Sequence, residues 1–305
     1  MPTKIALIAG ATGAIGSALA KELCSDYDWT VYGLSRNKPT QAINGVRYLQ
    51  VDLSDKDQCH QQLMELSDVT HVYYCGRATH AEQVLESAED NLLLLRNLVT
   101  AIEAVANIQH VHLVQGGKYY GVHIGPFPTP AVEEQPRAPV PNFNYEQQDY
   151  LASQAKNWTW TSSRPNTLVH YSPHNARNLV SSLGVYASLC KALGSSLDFP
   201  GPEGAYHSVT QVTSIDVLAR GIKWMSTTES CANQGFNITN TDVFRWSTIW
   251  PLLASAFDMT PGSVRPMKLA DLMSNRQQTT DMGRHLPQQF IATNGFRSGS
   301  ELGLS

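Results

Sequence analysis

Residues 4–20, KIALIAGATGAIGSALA, decide the fold, because an apolar run passes through three spaced glycines into an alanine-rich segment. The run predicts a buried strand from Lys4 to Ala9, and the segment predicts a helix from Ala14 to Cys24. In such a turn the first glycine permits a tight bend, the second lets the backbone approach a pyrophosphate, and the third lets the helix pack closely on the strand. The helix N-terminus adds amide donors and a favourable dipole for an anion. The turn therefore predicts a dinucleotide site formed by Gly10, Thr12, Gly13, Ala14, Ile15 and Gly16.

The alternation of strand and helix continues through the first half of the chain. Short runs rich in Val, Ile and Tyr predict further strands at Thr30 to Leu34, Val46 to Val51, Val69 to Cys75 and His110 to Val114. Between them, amphipathic patterns predict helices at Asp55 to Leu66 and at about Ala81 to Ala106. This order predicts an α/β fold with a parallel, doubly wound Rossmann sheet and right-handed crossovers.

The second half of the chain has a different composition. Residues 115–141 are rich in Gly and Pro, and a loop of this length in a compact domain is uncommon unless it is functional. The later segments with regular patterns are two helical ones, Asn175 to Leu193 and Ser214 to Met225, and an extended one, Gly235 to Thr239. We expect residues 1–170 to form an NADP(H)-binding Rossmann domain and residues 171–305 mainly a smaller C-terminal α/β lobe that covers the substrate. Some interleaving of the chain between the two is allowed for.

The composition narrows the class of protein. The 305-residue chain is 42% hydrophobic and 16% charged and has a formal net charge of −4. We therefore expect no nucleic-acid partner and no membrane partner, and no apolar run approaches the length of a membrane span. The five cysteines are scattered and lack CxxC spacing, which argues against disulfides and against a metal site. These features predict a cytoplasmic protein whose partner is a small-molecule substrate, with a homodimer left open.

The segment Gly33-Leu34-Ser35-Arg36, at the end of the second predicted strand, indicates which nicotinamide cofactor the chain prefers. An NAD enzyme places Asp or Glu there to hold the ribose 2′-hydroxyl, whereas this segment has no carboxylate. Arg36 can pair bidentately with a 2′-phosphate and Ser35 can add a hydroxyl, so the predicted cofactor is NADP(H). The alternative for Arg36 is a solvated surface arginine.

Asp52 and Leu53 end the third predicted strand, where the adenine edge usually rests in this fold. Both are therefore counted among the candidate cofactor-binding residues. Asp52 could equally cap the helix that begins near Asp55. The sequence leaves these two interpretations about even.

The usual catalytic signature of short-chain reductases is a tyrosine with a lysine four residues later on the same helix face, and this chain has no such pair. The best placed tyrosine is Tyr145, and the residue four positions later is Asp149. A lysine, Lys118, does occur in the loop after the fifth predicted strand. That loop lies at the carboxyl edge of the sheet, where ligands bind in open α/β folds.

The motifs around Lys118 and Tyr145 resemble those of the progesterone 5β-reductase/iridoid synthase family of atypical, extended short-chain reductases. The matching segments are GGKYYG at 116–121, GPF at 125–127, NFNY at 142–145, SRP at 163–165, SP at 172–173, NLV at 178–180, VYA at 185–187 and FNITN at 236–240. The resemblance runs from about residue 4 to about residue 260. It implies a lysine–tyrosine pair drawn from separate segments, and hydride delivery from NADPH to the β-carbon of an activated alkene.

Roles for individual residues follow from this resemblance. Lys118 would hold the nicotinamide ribose and polarise the site, and Tyr145 would stabilise the negative charge that develops on the substrate carbonyl oxygen. Both therefore also count as cofactor-binding residues, together with Cys75 and Pro165. The residues expected to line the substrate are Tyr119, Phe127, Phe143 and Tyr186.

We therefore expect an NADPH-dependent ene-reductase that acts on an α,β-unsaturated carbonyl compound, small and apolar or terpenoid- or steroid-like. Two alternatives stay open: carbonyl reduction by the same lysine and tyrosine, and a redox-silent NADP(H)-binding protein such as a cyclase or a sensor. The chain departs from the family at Asn144, where a second tyrosine is frequent, and at His170, where glycine is usual. His170 is either a substrate-facing acid or a core histidine. The polar segment Arg265 to Ser305 predicts partial disorder and a more open substrate pocket.

Overall fold

The computed structural model describes residues 4–78, 86–125, 127–170 and 178–267. By its internal contacts the chain divides into two compact units. The first consists of Met1–Asn166 and Thr213–Thr239, and the second of Thr167–Val212 and Asn240–Ser305. The sequence-based domain boundary at residue 170 stays a prediction.

As far as residue 165, the described residues form six strands and four α-helices. They are β1 (Lys4–Ala9), α1 (Ala14–Cys24), β2 (Trp29–Ser35), β3 (Val46–Gln50), α2 (Lys56–Leu63), β4 (His71–Tyr74), α3 (Ala88–Glu103), β5 (His110–Val114), α4 (Phe143–Gln154) and β6 (Thr159–Pro165). A short 3₁₀ turn, Gly117–Tyr120, lies between β5 and α4. The later elements are β7 (Thr167–Val169), α5 (Leu179–Ala192), β8 (Leu197–Phe199), α6 (Glu203–His207), β9 (Val209–Thr210), β10 (Val212–Ser214), α7 (Ile215–Thr227), β11 (Gln234–Ile238), β12 (Phe244–Arg245), α8 (Trp246–Ala256) and β13 (Pro261–Val264).

Seven strands of the first unit form one sheet in the order β11-β6-β5-β4-β1-β2-β3. Every neighbouring pair in this sheet is parallel. The chain moves outward from β1 in one direction through β2 and β3, and in the other through β4, β5 and β6. Ligands of open α/β sheets bind outside the carboxyl ends of the strands at such a reversal of strand order. The predicted doubly wound Rossmann sheet is confirmed.

Helices cover both faces of this sheet. Successive side chains of a strand point to opposite faces, so the apolar side chains of these strands need a cover on each side. Leu7 and Ala9 of β1 belong to a core that also contains Leu63 of α2 and Leu98 of α3. Helix α1 packs against α7. A strand buried on both faces needs apolar side chains throughout, which is why these strands are visible in the sequence as continuous apolar runs.

Several bounds follow the sequence closely. β1, α1 and β5 have the predicted limits. The helix predicted from about Ala81 begins at Ala88, after Ser87, whose hydroxyl accepts a hydrogen bond from the Asp90 amide at 3.1 Å. Its predicted first turn falls in residues 79–85, which lie outside the described residues.

Two of the later predicted segments belong to the first unit. The helix predicted at Ser214 to Met225 is α7, which packs on α1, and the extended piece predicted at Gly235 to Thr239 is β11, which pairs with β6. An unpaired edge strand exposes a row of amide and carbonyl groups, and β11 covers that edge of β6. A short local pattern identifies a strand but does not show which sheet it joins.

The second unit has an aromatic core of its own. Tyr186, Phe199 and Trp250 are buried together, and the Trp250 indole donates to the Leu197 carbonyl oxygen at 2.8 Å. β13 pairs with β8 in parallel, and β12 pairs with β9 antiparallel. Of the helices that the structure describes, none is long and apolar enough to cross a membrane.

Candidate functional site

The glycine turn after β1 has the geometry that its sequence predicts. Gly10 has φ +77°, a left-handed backbone conformation that glycine adopts without strain. The amides of Gly10 and Ala11 both donate to the Leu34 carbonyl oxygen, at 3.2 and 3.1 Å. A Cβ on Gly16 would overlap the Gly10 carbonyl oxygen, so α1 can approach β1 only with glycine there.

The first turn of α1 presents backbone amides at the carboxyl end of β1. Its N-cap residue is Gly13, and within the described part of the chain no side chain caps this end of the helix. Thr12 and Gly13 are exposed, while Ala14 and Ile15 are half-buried. Unsatisfied amides at a helix N-terminus suit a negatively charged group. The cofactor roles of these residues stay predictions.

Arg36 lies beside a polar groove of about 760 Å³ next to the ends of β2 and β3. The groove is lined by Arg36, Asn37, Gln50, Asp52, Gln58 and Gln62. Ser35 is buried, and its hydroxyl donates to the Asn37 carbonyl oxygen at 2.7 Å. The structure therefore brings Arg36 and Asp52 to one groove, whereas Ser35 does not line that groove and its hydroxyl donates to the backbone.

Asp52 does not cap α2, so one of the two interpretations of this residue is wrong. The cap is Asp55, whose carboxylate accepts from the Gln58 amide at 2.9 Å. Asp52 instead accepts from the amide and hydroxyl of Ser54, at 3.0 and 2.8 Å. These two bonds lower the pKa of Asp52, and the charge of Arg36 lowers it further. The spacing Asp55-x-x-Gln58 is a capping signal that the sequence already contains.

Leu53 packs against the main core, and its carbonyl oxygen accepts from the Asn97 side chain at 2.8 Å. Cys75 follows β4, and its amide donates to the Ala9 carbonyl oxygen at 3.0 Å. Burial raises the pKa of the Cys75 thiol to about 12, which keeps it protonated and uncharged. Pro165 ends β6. Cys75 thus lies directly against the glycine turn, whereas Leu53 is partly committed to packing.

Lys118 is held by an ion pair that the sequence did not reveal. Its ammonium contacts both carboxylate oxygens of Glu86, at 2.6 and 2.7 Å. The Glu86 side chain is 4% exposed and that of Lys118 is 37% exposed. Burial acts to raise the pKa of Glu86, but the hydrogen bonds and charges that it receives, chiefly from Lys118, outweigh burial and lower it. Arg77 also contacts Glu86, at 3.3 Å.

Tyr145 is buried at the start of α4, and its hydroxyl is bound to backbone groups. It donates to the Tyr119 carbonyl oxygen at 2.6 Å and accepts from the Ala138 amide at 3.0 Å. The Tyr145 ring meets the Tyr119 ring edge to face, with centroids 5.1 Å apart. The polar atoms of Lys118 and Tyr145 thus have different partners in this structure, and their catalytic roles stay predictions.

Asp149, which stands where a short-chain reductase has its lysine, has a partner of its own. It binds Arg137 through two contacts of 2.7 and 2.6 Å. The Arg137 guanidinium also lies 4.8 Å from the centre of the Tyr145 ring. An arginine–carboxylate pair therefore covers one face of Tyr145, and a lysine at position 149 could not replace it.

Asn144 places an unsatisfied acceptor under the Lys118 loop. It is 1% exposed, and its amide and side-chain nitrogen both donate to the Asn142 side-chain oxygen, at 3.1 and 2.9 Å. Its backbone oxygen accepts from the Gln115 side chain at 2.8 Å. The side-chain oxygen of Asn144 has no hydrogen-bond partner among the described groups. A buried acceptor of this kind costs free energy unless a ligand or water donor reaches it.

Arg164 joins the segments around Lys118 and Tyr145. It is 4% exposed and lies with its guanidinium carbon 3.5 Å from the centre of the Tyr119 ring. It donates to the Tyr120 hydroxyl at 3.0 Å, and its remaining described acceptors are the Gln115 and Gln148 side chains and the Glu133 carbonyl oxygen. The motif Ser163-Arg164-Pro165 marks the residue in the sequence, but no local pattern predicts these partners.

Three of the predicted substrate residues lie in the first unit. Tyr119 is buried with Tyr145, Phe127 packs against the same cluster, and Phe143 is the half-buried first residue of α4. Tyr186 lies in the second unit, where its hydroxyl donates to the Asp198 carbonyl oxygen at 2.9 Å. Its side chain is therefore part of the second unit's core, and its role toward a substrate stays a prediction.

Several predicted features fall outside what the structure describes. Pro126, residues 171–177 with Ser172 and Pro173, and residues 268–305 lie outside the described residues.

Burial lowers the pKa of His170, which favours the neutral ring. A neutral ring agrees better with a core histidine than with an acid.

Comparisons with known sequences agree with the architecture. A family model for the PRISE-like Rossmann-fold domain matches residues 38–274. A 3-oxo-Delta(4,5)-steroid 5-beta-reductase of Arabidopsis thaliana is 37% identical over 271 residues, which cover 83% of this chain and 69% of the relative. An (S)-8-oxocitronellyl enol synthase of Nepeta cataria is 33% identical over 299 residues, which cover 91% of this chain and 75% of the relative.

Solved structures with the same fold include two UDP-glucose 4-epimerases. The enzyme of Thermus thermophilus, in complex with NAD, has a TM-score of 0.65 and 19% identity, covering 98% of this chain and 97% of the other. The enzyme of Thermotoga maritima, with UDP-glucose, has a TM-score of 0.67 and 16% identity, covering 87% and 86%. At these identities the likeness shows the fold alone.

Proposed function

The chain belongs to the PRISE-like Rossmann-fold family, and from that membership we propose that it is a nicotinamide-dependent reductase of the C=C bond of α,β-unsaturated carbonyl compounds. The name of the relative from Arabidopsis thaliana describes a steroid with a 3-oxo group and a Δ4,5 double bond, which are conjugated. The relative from Nepeta cataria carries in its name an enol. An enol is the form reached when hydride adds to the β-carbon of a conjugated carbonyl and the oxygen takes up a proton.

The observation that carries the proposal is the position of Lys118 relative to the glycine turn. The turn follows β1 and Lys118 follows β5, and in the sheet these strands are separated by β4 alone. Both features therefore lie at the carboxyl ends of parallel strands with one strand between them, at the crevice of the first unit. A dinucleotide with its pyrophosphate at the turn and its adenosine half toward Arg36 would have its nicotinamide half on the side of Lys118.

The residues present fit an NADP(H) cofactor. The uncapped amides of α1 suit a pyrophosphate, and the guanidinium of Arg36 beside its groove suits a 2′-phosphate. The unsatisfied side-chain oxygen of Asn144 suits a ligand donor near the Lys118 loop. When bound, the nicotinamide supplies the hydride.

The chain's own residues supply electrostatic stabilisation. Hydride addition to an enone moves negative charge onto the carbonyl oxygen. A hydrogen-bond donor at this oxygen stabilises the transition state more than the starting enone, and so lowers the barrier. We assign this donation to the Tyr145 hydroxyl, with Lys118 as the nearby cation. The hydroxyl accepts from the Ala138 amide, which polarises its O–H bond and makes it a stronger donor. Its proton must then turn from the Tyr119 carbonyl oxygen to the substrate.

The test is a screen of matched pairs of compounds, each an enone and the corresponding saturated ketone. NADPH absorbance is followed and the products are identified by mass spectrometry. The proposal predicts that enones are consumed and yield saturated ketones, while the ketones are untouched. Alcohols from both members of a pair would support carbonyl reduction instead. Absence of NADPH oxidation across the screen would favour the redox-silent alternative.

A further inference from the structure

The Lys118 ammonium binds Glu86 through two contacts, which leaves one of its N–H donors without a partner in the described part of the chain. An ammonium has three N–H donors in fixed directions. The contacts of 2.6 and 2.7 Å to the two oxygens of Glu86 engage two of them. The Lys118 side chain stays 37% exposed, so a ligand can reach it, and no third acceptor for the ammonium occurs among the described residues.

Both partners are themselves held by neighbouring elements. Glu86 precedes Ser87, the N-cap of α3, and its carboxylate also contacts the Arg77 guanidinium at 3.3 Å. The carbonyl oxygen of Lys118 accepts from the side chain of Asn142, the N-cap of α4, at 2.6 Å. The lysine is therefore fixed at its backbone from α4 and at its ammonium from the start of α3.

This double attachment orders a flexible side chain in the free protein. A lysine loses rotamer freedom when a ligand immobilises it, and this loss weakens binding or catalysis unless the side chain is ordered beforehand. Short, charge-assisted contacts to a buried carboxylate provide that order. Glu86 in turn is stabilised by its cationic partners Lys118 and Arg77, because burial of a carboxylate is unfavourable without such partners.

We infer that Glu86 is a positioning residue for Lys118. Glu86 occupies two N–H donors of the Lys118 ammonium, so that the third donor meets the ligand. The inference rests on the proposed function for the role of Lys118 in turnover. The Glu86–Lys118 attachment itself can be tested without any cofactor or substrate. A purely structural ion pair would tie α3 to the loop but would not affect one kinetic step more than another.

The first experiment uses nucleotide-free protein. Lys118 is reacted with an amine-selective acylating reagent, and its modification rate is read by peptide mass spectrometry in wild type and in Glu86→Gln. Release of the ammonium should raise the Lys118 rate by roughly tenfold. Glu103→Gln is the matched control, because Glu103 accepts from the Trp158 indole at 2.6 Å and does not contact Lys118. An unchanged Lys118 rate in Glu86→Gln would overturn the inference, whether or not the protein reduces enones.

The second experiment separates positioning from structure. Glu86→Gln should lower kcat by roughly tenfold, while the Kd of NADPH measured by calorimetry rises much less, because removal of a negative charge near an anionic ligand offsets part of the lost lysine order. In Lys118→Ala, adding Glu86→Gln should cost little more, since Glu86 acts through Lys118. Equal losses in kcat and NADPH affinity, or additive losses in the double variant, would contradict a positioning role. If Glu86→Gln does not fold, Glu86→Asp keeps the charge and should raise the Lys118 modification rate by a smaller factor.

Discussion

In the proposed function, the choice between phosphorylated and unphosphorylated cofactor depends on the exposed guanidinium of Arg36 at the end of β2. Arg36→Ala should weaken NADPH binding by about 1.5–3 kcal/mol, because it removes a charge-assisted contact to the 2′-phosphate, and should leave NADH binding nearly unchanged. Calorimetry with both cofactors measures the difference. Arg47→Ala is the control, since Arg47 contacts Tyr32 and does not line the groove. An equal loss for NADPH and NADH would remove Arg36 from this role.

Tyr145 carries a hydroxyl that both holds the loop and, in the proposed mechanism, meets the developing charge. Tyr145→Phe leaves the Tyr119 oxygen and the Ala138 amide without this partner, so it should lower the free energy of unfolding by about 1–3 kcal/mol. It should also lower kcat while the Kd of NADPH stays close to wild type, because the hydroxyl matters most when charge develops. Tyr150→Phe, on the same helix, controls for loss of a tyrosine hydroxyl. If Tyr145→Phe turns over substrate at the wild-type rate, the hydroxyl of Tyr145 has no role in catalysis.

At the scale of the element, the turn between β1 and α1 leaves no room for a side chain at position 16. Gly16→Ala should push α1 away from β1, because the new Cβ would overlap the Gly10 carbonyl oxygen. We expect a loss of stability of roughly 1–3 kcal/mol together with loss of nucleotide binding. Urea unfolding and calorimetry measure these two effects.

Gly184→Ala is the matched control for this turn. Gly184 lies inside α5, and a Cβ there would meet nothing within 4 Å. Alanine should therefore stabilise that helix by up to about 1 kcal/mol, through its higher helix propensity. Loss of stability in both variants would mean that the tight turn is not what makes Gly16 necessary.

The elements also show which features a sequence can and cannot predict. The glycine turn and the lysine loop are visible because each is specified within a few consecutive residues, next to a strand. Glu86 lies 32 residues before Lys118, and Arg164 lies 44 residues after Tyr120, so neither contact has a local signature. The sequence does not predict the position of β11 for a related reason, since its pairing with β6 depends on which sheet edge is open. Asp55 as the cap of α2, by contrast, was present in the sequence as Asp-x-x-Gln.

At the scale of the whole molecule, three histidines are buried uncharged in the main sheet. His110 bonds Thr159 and Thr161 at 2.8 Å each, and His112 bonds Thr161 at 2.8 Å and Ser163 at 3.0 Å. Burial, followed by neighbouring charge, lowers the pKa of His71 to about 4 and that of His110 to about 3. The same causes place the pKa of His112 well below its usual value. Hydroxyl partners satisfy these rings without favouring the protonated form.

The buried histidines make the folded protein sensitive to acid. Between the unfolded pKa of about 6.5 and the lowered folded values, the unfolded chain binds protons that the folded chain does not, so the free energy of unfolding falls as pH falls. Three such rings give a slope of at most about 4 kcal/mol per pH unit, which urea midpoints between about pH 7.5 and 5 would reveal. His110→Gln should reduce the slope, and His207→Gln, at an exposed position, should not. A urea midpoint that is constant over this range would show that the three rings are not buried uncharged.

Transfer of deuterium from cofactor labelled at C4 of the nicotinamide shows whether the alkene carbon or the carbonyl carbon of an enone receives the hydride. The cofactor is prepared with the label on each face of the ring in turn. The position of deuterium in the product of an enone that the protein consumes is then determined by mass spectrometry and NMR. The proposed ene-reduction places deuterium on the carbon β to the carbonyl, from one of the two labelled cofactors. Deuterium on the carbonyl carbon would contradict it in favour of ketone reduction. A product that forms with no label and no oxidised cofactor would contradict it in favour of a nucleotide that serves only as a scaffold.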